Sequence, residues 1–341
     1  MSVLESIKGF FVNSVWETFC KKWIWQGFCV NILYKKFDSY KGWLYLSPAI
    51  ILLLIFTVWP IFNTLRMAFW DDYSIMKEIG GSLDFKFGFK NFRTVVNYQG
   101  FKECLKNTML LCFLTVPIST LLALIIAVCL NSIKPLQKFY QTVYFLPYVT
   151  NSIAIGMVFE AMFNIVGFNT ASPSYGIVNN IFGGFFAEGY QNWINQNSPY
   201  WANIVVLVVY IVWNALPFKI LILLGGLQSV NKQYYDAAKI DSTPRIRVFT
   251  RITVPLLSPM IAYVVITGFI GGFKEYSSIV GIFGDDMKVA GGHSLNTMVG
   301  YIYDALGVWE GRASAAALIL FAIIFLVTMI NLYVSKKKVH Y

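Results

Sequence analysis

Six apolar runs, each about the length of one bilayer crossing, decide what this chain can fold into. They begin near Tyr45, Lys106, Tyr140, Ala202, Val254 and Ala313. In hydrocarbon the backbone must satisfy its own hydrogen bonds, and a helix of ~20 apolar residues does so within a single span. The expected fold class is therefore an all-α integral membrane protein with about six transmembrane helices. Only 13% of the 341 residues are charged, against about 25% in soluble domains. The chain reads as one membrane domain and not as a string of soluble ones.

A formal net charge of +10 would by itself admit a nucleic-acid partner, but the bases are placed otherwise. Lys35, Lys36 and Lys41 precede the first span, and Lys134 and Lys138 lie between the second and third. Lys239, Arg245, Arg247 and Arg251 separate the fourth from the fifth, and Lys336, Lys337 and Lys338 follow the sixth. The connection from Asn164 to Tyr200 holds no Lys or Arg at all. By the positive-inside rule both termini are expected to be cytoplasmic. The segment from about Asp71 to Gly100 is expected outside, and its mixed charges do not discriminate. The basic balance is topological, and no nucleic-acid partner is expected.

Cys20, Cys29, Cys104, Cys112 and Cys129 form no CxxC pair and no metal-type spacing with a histidine. The three in or beside the second span read as small hydrophobes. No short apolar core followed by a small-residue cleavage site marks a secretory signal peptide. Residues 1–42 read as a cytoplasmic lead, with Trp16, Phe19, Trp23 and Val30 at helical spacing and Glu17 and Lys21 on another face. An interfacial helix and a helix packed on the bundle both fit this pattern. Residues 43–341 form the membrane domain. Pro48, Pro60, Pro117, Pro147 and Pro217 fall in its spans, where proline frees a carbonyl and bends the axis. The loop "GFNTASPSYGIVNNIFGG" is rich in turn residues, and its length and low charge suggest a folded outer cap.

One stretch departs from the apolar background: "QYYDAAKIDSTPRIRVFTRITVPLLSP", from Gln233 to Pro259. Ala237 and Ala238 favour helix, and Asp241-Ser242 breaks it. Thr243-Pro244 then reads as an N-cap followed by proline at the first helical position, where no donor is needed. Ile246 and Phe249 share one face of the second helix, with arginines on the other. The loop over 231–259 is thus an ordered elbow with apolar knobs and charges, a shape that suits a groove on another protein.

The stretch resembles the EAA loop of permeases from binding-protein-dependent ABC importers. Asp236-Ala237-Ala238, Asp241, Phe249, Ile252 and Pro255 stand in the family's register. Asp236 replaces the usual Glu, Ser242 the usual Gly and Thr243 the usual Ala. The Ser242 change means either a corner that needs no glycine or a strained turn. The resemblance extends over nearly the whole chain after about Tyr40, through "LSPAIILLLIFTVWPIFNTLRMAF", "YFLPYVTNSIAIGMVFEAMFN", "VWNALPFKILILLGGLQSV" and "GGHSLNTMVGYIYDAL". These are similar to the sugar-importing branch. They favour the first of its two permeases, of the kind represented by the maltose transporter's larger membrane subunit, without a large outer domain.

The resemblance implies a cytoplasmic coupling (EAA-type) helix between the fourth and fifth spans, seated in a cleft of an ATPase subunit. Asp236, Ala237, Ala238, Asp241 and Ser242 would face that ATPase. The implied partners are a second homologous permease, an ATPase dimer, an extracytoplasmic solute-binding protein, membrane lipid and a sugar or oligosaccharide substrate. Glycerol-3-phosphate or a polyol is the alternative cargo. No cofactor is expected in this chain, since ATP and Mg would be held by the partner ATPase. The implied location is a bacterial-type inner membrane.

Read from the residues alone, the chain has no GxxxxGK[ST] phosphate loop. His293 and His340 cannot form an HExxH zinc site. No catalytic or metal-binding residue is assigned. A membrane-embedded enzyme would need polar groups converging in the spans, where charges are few, and a purely structural protein would not need the elbow. Sugars are held by aromatic faces and a few polar groups. The substrate-path candidates are Trp213 and Asn214 in the fourth span, and Phe273, Glu275 and Tyr276 near the outer end of the fifth. Bundle packing alone would also account for Trp213 and Phe273. Lys219 inside the fourth span is a pathway candidate, with snorkelling as the other reading. Glu160 reads as an interfacial charge.

Overall fold

Backbone groups in an apolar run close on one another, and four of the six runs do so as unbroken helices. The computed structural model describes residues 43, 45–81, 86–133, 137–167, 172–186, 189–289 and 292–338. The lead over residues 1–42 lies outside them. In chain order, α1 (Tyr45–Phe69) is the first span. Short helices α2 (Ile75–Ile79) and α3 (Lys90–Asn97) precede α4 (Gln99–Ser132), the second. The third run is two helices, α5 (Gln137–Val149) and α6 (Ser152–Phe163). A small antiparallel hairpin, β1 (Ile165–Val166) with β2 (Ser174–Tyr175), leads to α7 (Ile177–Phe182). The fourth span is α8 (Tyr200–Ser229), and α9 (Lys232–Ile240) follows it. The fifth run is again two helices, α10 (Arg245–Leu256) and α11 (Ser258–Gly272). After α12 (Ser277–Phe283) and α13 (Met298–Ala305) comes α14 (Glu310–Lys338), the last span.

The chain divides at Thr64 and Leu65 into two compact units. Within the first, α1 carries a π turn over Leu54–Val58, just before Pro60. A π turn accommodates a proline ring that would clash with the carbonyl one turn back. The second unit repeats the device, with a π turn over Phe249–Thr253 just before Pro255.

The third and fifth runs do not cross as single rods. The axis turns by 97° between Phe139–Val149 and Ser152–Phe163, and by 70° between Arg245–Leu256 and Ser258–Gly272. At the first break Asn151 is extended and its Oδ1 accepts a hydrogen bond from the Ile153 amide at 2.9 Å, capping α6. At the second, Leu257 is flanked by Pro255 and Pro259, neither of which has an N–H to give the preceding turn.

In the second unit α4 packs along α8, and the two run parallel. The Tyr200 hydroxyl donates to Asn107 Oδ1 (2.7 Å) near their starts, and Lys219 Nζ donates to Ser119 Oγ (2.7 Å) further along. Leu207 and Tyr210 are fully buried in the half away from α9. Nearer α9, Ala123, Ala127, Leu223 and Leu224 fill the contact, the alanines letting the two backbones approach. α11 packs on both α4 and α14, with Phe273, Met298 and Ala316 in the shared core.

Between Asn164 and Pro199 the described residues are tied together by side-chain hydrogen bonds. Asn179 Oδ1 accepts from the Gln191 amide (3.0 Å) and from Trp193 Nε1 (3.1 Å). Asn203 Nδ2 donates to the Trp193 carbonyl (2.6 Å) and to Ser198 Oγ (2.7 Å). Asparagine side chains here stand in for a secondary-structure ladder.

Candidate functional site

The elbow between the fourth and fifth spans is ordered from cap to cap. Asn231 Oδ1 accepts from the Gln233 amide at 3.0 Å and starts α9. At the other end the Thr243 amide donates to the Ala238 carbonyl (3.0 Å) and the Ser242 amide to the Lys239 carbonyl (3.1 Å). This pair is a Schellman motif, which places its first residue past the cap in the left-handed region. Ser242 has φ +51°. The corner is thus the strained alternative: serine adopts the conformation that glycine takes without a Cβ penalty. Thr243 is not the cap of the next helix. Pro244 occupies that position, and its carbonyl accepts from the Arg247 amide at 2.9 Å.

The surface that the elbow offers differs in part from the expected one. Asp236, Ala237, Asp241 and Ser242 are at least partly accessible, but Ala238 is only 6% exposed and faces inward. It packs against its own chain and presents nothing to a partner. The reason is rotational: one turn of a nine-residue helix must bury a stripe, and Ala238 lies on it. The exposed apolar knobs are Ile240 (84%) and Ile246 (80%). The Asp236 carboxylate meets Lys239 of the same helix at 3.2 Å, an exposed pair that a partner's base can displace at small cost.

The substrate-path candidates separate into two groups. Trp213 packs on Phe159 of α6 with ring centroids 5.4 Å apart. Asn214 Nδ2 reaches Ser152 Oγ at 3.5 Å, beside the break in the third run. Glu275 Oε1 accepts from the Ser278 amide at 3.2 Å and so caps α12, while Tyr276 stacks against Tyr303 (4.7 Å). Helices α6 and α12 link the groups by crossing at Gly156 and Gly281. Phe273 and Lys219 belong elsewhere. Phe273 is fully buried and meets Phe113 edge-on, which makes it a packing residue.

Lys219 does not snorkel. It is 5% exposed, and its ammonium donates to the Val116 carbonyl (3.3 Å), Ser119 Oγ (2.7 Å) and Thr120 Oγ1 (3.0 Å). No carboxylate pairs with it among the described residues. Three oxygens of α4 take the place of water around a buried cation, and the residue acts as a pin between two parallel spans.

Other residues of this region were missed in the sequence. The Tyr210 hydroxyl donates to the Ser152 carbonyl at 2.5 Å and holds the start of α6 against α8. Gly156 and Gly281, isolated glycines in apolar runs, carried a readable signal for close helix approach. A cleft of 590 Å³ lies between α6, α8 and the segment that follows α6, walled by Phe159, Phe163, Phe182, Trp193 and Trp213. It offers aromatic faces and no charge.

Membrane-length helices, two runs bent by 97° and 70°, and a capped elbow between the fourth and fifth runs define a multi-span membrane protein. Residues 119–340 match the family described as binding-protein-dependent transport system inner membrane component. The chain belongs to that family, and it is the permease component of an ABC importer in the inner membrane. The match includes the whole elbow. The lactose transport system permease protein LacF of Rhizobium radiobacter is 27% identical over 301 residues, covering 87% of this chain and 93% of that relative. The arabinooligosaccharides permease AraP of Bacillus subtilis (strain 168) is 28% identical over 296 residues, covering 86% and 88%. A solved chain of a bacterial ABC transporter involved in the import of the acidic polysaccharide alginate shares the fold. It has a TM-score of 0.70 at 21% identity, over 89% of this chain and 98% of that one.

Proposed function

We propose that this chain forms half of a translocation path for a sugar or oligosaccharide, beside a second homologous permease. The observation that carries the reading is the elbow, a rigid capped helix exposing Ile240 and Ile246 between two spans of a family member. A separate ATPase dimer, holding ATP and Mg, docks on this elbow through Asp236, Ala237, Asp241 and Ser242 with the two isoleucines. Closure of the ATPases moves α9, and α8 and α10 carry the movement into the bundle. An extracytoplasmic solute-binding protein delivers cargo to the opposite mouth. The basic ends of the spans support cytoplasmic termini. Trp213, Asn214, Glu275 and Tyr276 are the path residues we assign, since they flank the α6–α12 crossing and combine ring faces with polar groups.

A saccharide is favoured by the relatives, which are named for lactose, arabino-oligosaccharides and multiple sugars. A second cargo is kept by the sn-glycerol-3-phosphate permease UgpA of Agrobacterium fabrum, 26% identical over 312 residues. The experiment is to purify the tagged chain from its native membrane under gentle conditions and identify what accompanies it. The expected companions are a second permease and a P-loop ATPase. Uptake into vesicles with lactose, arabino-oligosaccharides and glycerol-3-phosphate then separates the cargoes. Repeated recovery of this chain alone in several detergents would overturn the subunit assignment.

A further inference from the structure

A groove of 460 Å³ opens between the bent fifth run and the end of α14, and no part of the transport reading uses it. One wall is Pro255, Ser258, Ile261 and Val265; the other presents Asn331 and Ser335. The groove exists because the 70° turn at Leu257 carries α10 away from the line of α11 and leaves α14 uncovered there. From Ser258 to Ile266 the apolar wall runs about 12 Å along α11, inside the ~15 Å that one leaflet's hydrocarbon occupies.

Two observations indicate what fills it. The first is polar. Asn331 lies within a span, half-buried in this wall, and its amide has no hydrogen-bond partner among the described residues. An amide left unpaired at that depth is costly, so it calls for a partner that brings oxygen into the membrane. Ser335, one turn further on, adds a hydroxyl on the same face. The second is electrostatic. Neither wall contains an acidic residue anywhere from Arg245 to Gly272 or from Gly311 to Lys338. Arg251 lies one turn before the groove and Lys336 follows it directly, both exposed; Lys337, also exposed, holds its ammonium 4.4 Å from the centre of the Tyr333 ring. The site is an apolar trench with hydrogen-bond donors at its rim and bases only at its mouth.

We propose that the groove holds one anionic phospholipid of the leaflet on the elbow's side. An acyl chain lies against Pro255, Ile261 and Val265. The Asn331 amide and the Ser335 hydroxyl donate to glycerol-ester or phosphate oxygens, and Lys336 and Arg251 balance the headgroup charge, with Lys337 adding its field from over the Tyr333 ring. The lipid thereby spans the joint between α10, the exit of the elbow, and the terminal helix.

The test is native mass spectrometry of the intact transporter complex, titrated with phosphatidylglycerol and, separately, with phosphatidylcholine. The expected result is one phosphatidylglycerol retained per copy of this chain at activation energies that strip phosphatidylcholine. Lys336→Gln with Lys337→Gln, and separately Asn331→Leu, should each reduce that retention several-fold. The lysine pair lies on the exposed last turns, so it reads the site even where Asn331→Leu fails to accumulate. Equal retention of the two lipids by the wild type would overturn the proposal. So would undiminished phosphatidylglycerol on the lysine pair. High-yield crosslinking of Asn331→Cys to another subunit would also overturn it, by showing protein in the groove.

Discussion

Gly156 of α6 and Gly281 of α12 meet backbone to backbone. A methyl group on Gly156 would lie 2.7 Å from the Cα and the carbonyl carbon of Gly281, and one on Gly281 would lie 3.0 Å from the Gly156 Cα. Neither neighbour is a side chain that can swing aside. Gly156→Ala or Gly281→Ala should therefore push the two short helices apart, at about 1–3 kcal/mol each. The double variant should cost less than the sum, because one separation makes room for both methyls. Thermal unfolding of the purified complex measures this, with Gly225→Ala as the control, since a methyl there meets nothing within 4 Å. If Gly156→Ala behaves like Gly225→Ala, the crossing is not as close as described.

Lys219 and its cage give an asymmetric prediction. Ser119→Ala with Thr120→Val leaves the ammonium only the Val116 carbonyl, and should destabilise by about 2–4 kcal/mol. Lys219→Met removes the charge together with its need for partners, and should be close to neutral. Adding Lys219→Met to the double variant should recover most of the loss. A Lys219→Met protein that melts lower than the Ser119/Thr120 variant would show that the pin stabilises more than its desolvation costs.

The left-handed serine makes the elbow improvable. Ser242→Gly removes the Cβ penalty and should stabilise the corner by about 1 kcal/mol. Ser242→Val should weaken it by a similar amount or more, because a β-branched side chain tolerates positive φ worst. Amide exchange over Lys232–Thr243 in the assembled transporter is the readout, slower for glycine and faster for valine. Identical exchange in all three would refute the strained geometry.

Which face meets the ATPase is decided by two substitutions with opposite signatures. Ala238→Trp forces a large ring into the elbow's own packing and should lower the yield of folded chain. Ile246→Asp leaves the fold intact, since the side chain is 80% exposed, and should release the ATPase from the complex during purification. Retention of the ATPase by a well-folded Ile246→Asp protein would place the docking surface elsewhere.

The apolar runs, the elbow's two helices and the asparagine-rich turns after α6 were legible in the sequence because each depends on local pattern. Apolar length, a proline after a polar corner and a loop full of asparagines are visible one residue at a time. The breaks were not read, although their signals were present. Thr150-Asn151-Ser152 interrupts an apolar run just after Pro147, but hydropathy averaged over a window scores a bent run and a straight one alike. The surroundings of Lys219 and Ala238 were not legible for a different reason. The oxygens that hold Lys219 lie about 100 residues away on α4, and the side of α9 on which Ala238 falls is set by contacts the segment does not encode.

The half-length α6 also sets an order of biogenesis. Its 12 residues reach about 18 Å, short of the ~30 Å a crossing needs, so hydrophobic length alone does not seat it. The groups that do are made later by the ribosome: Tyr210, which holds Ser152 from 58 residues downstream, and then Gly281, synthesised after the fourth and fifth spans. The third segment to enter the membrane is thus among the last to be finished. A nascent chain stalled before Gly281 holds Tyr210 for Ser152 but lacks the backbone that α6 packs on at Gly156.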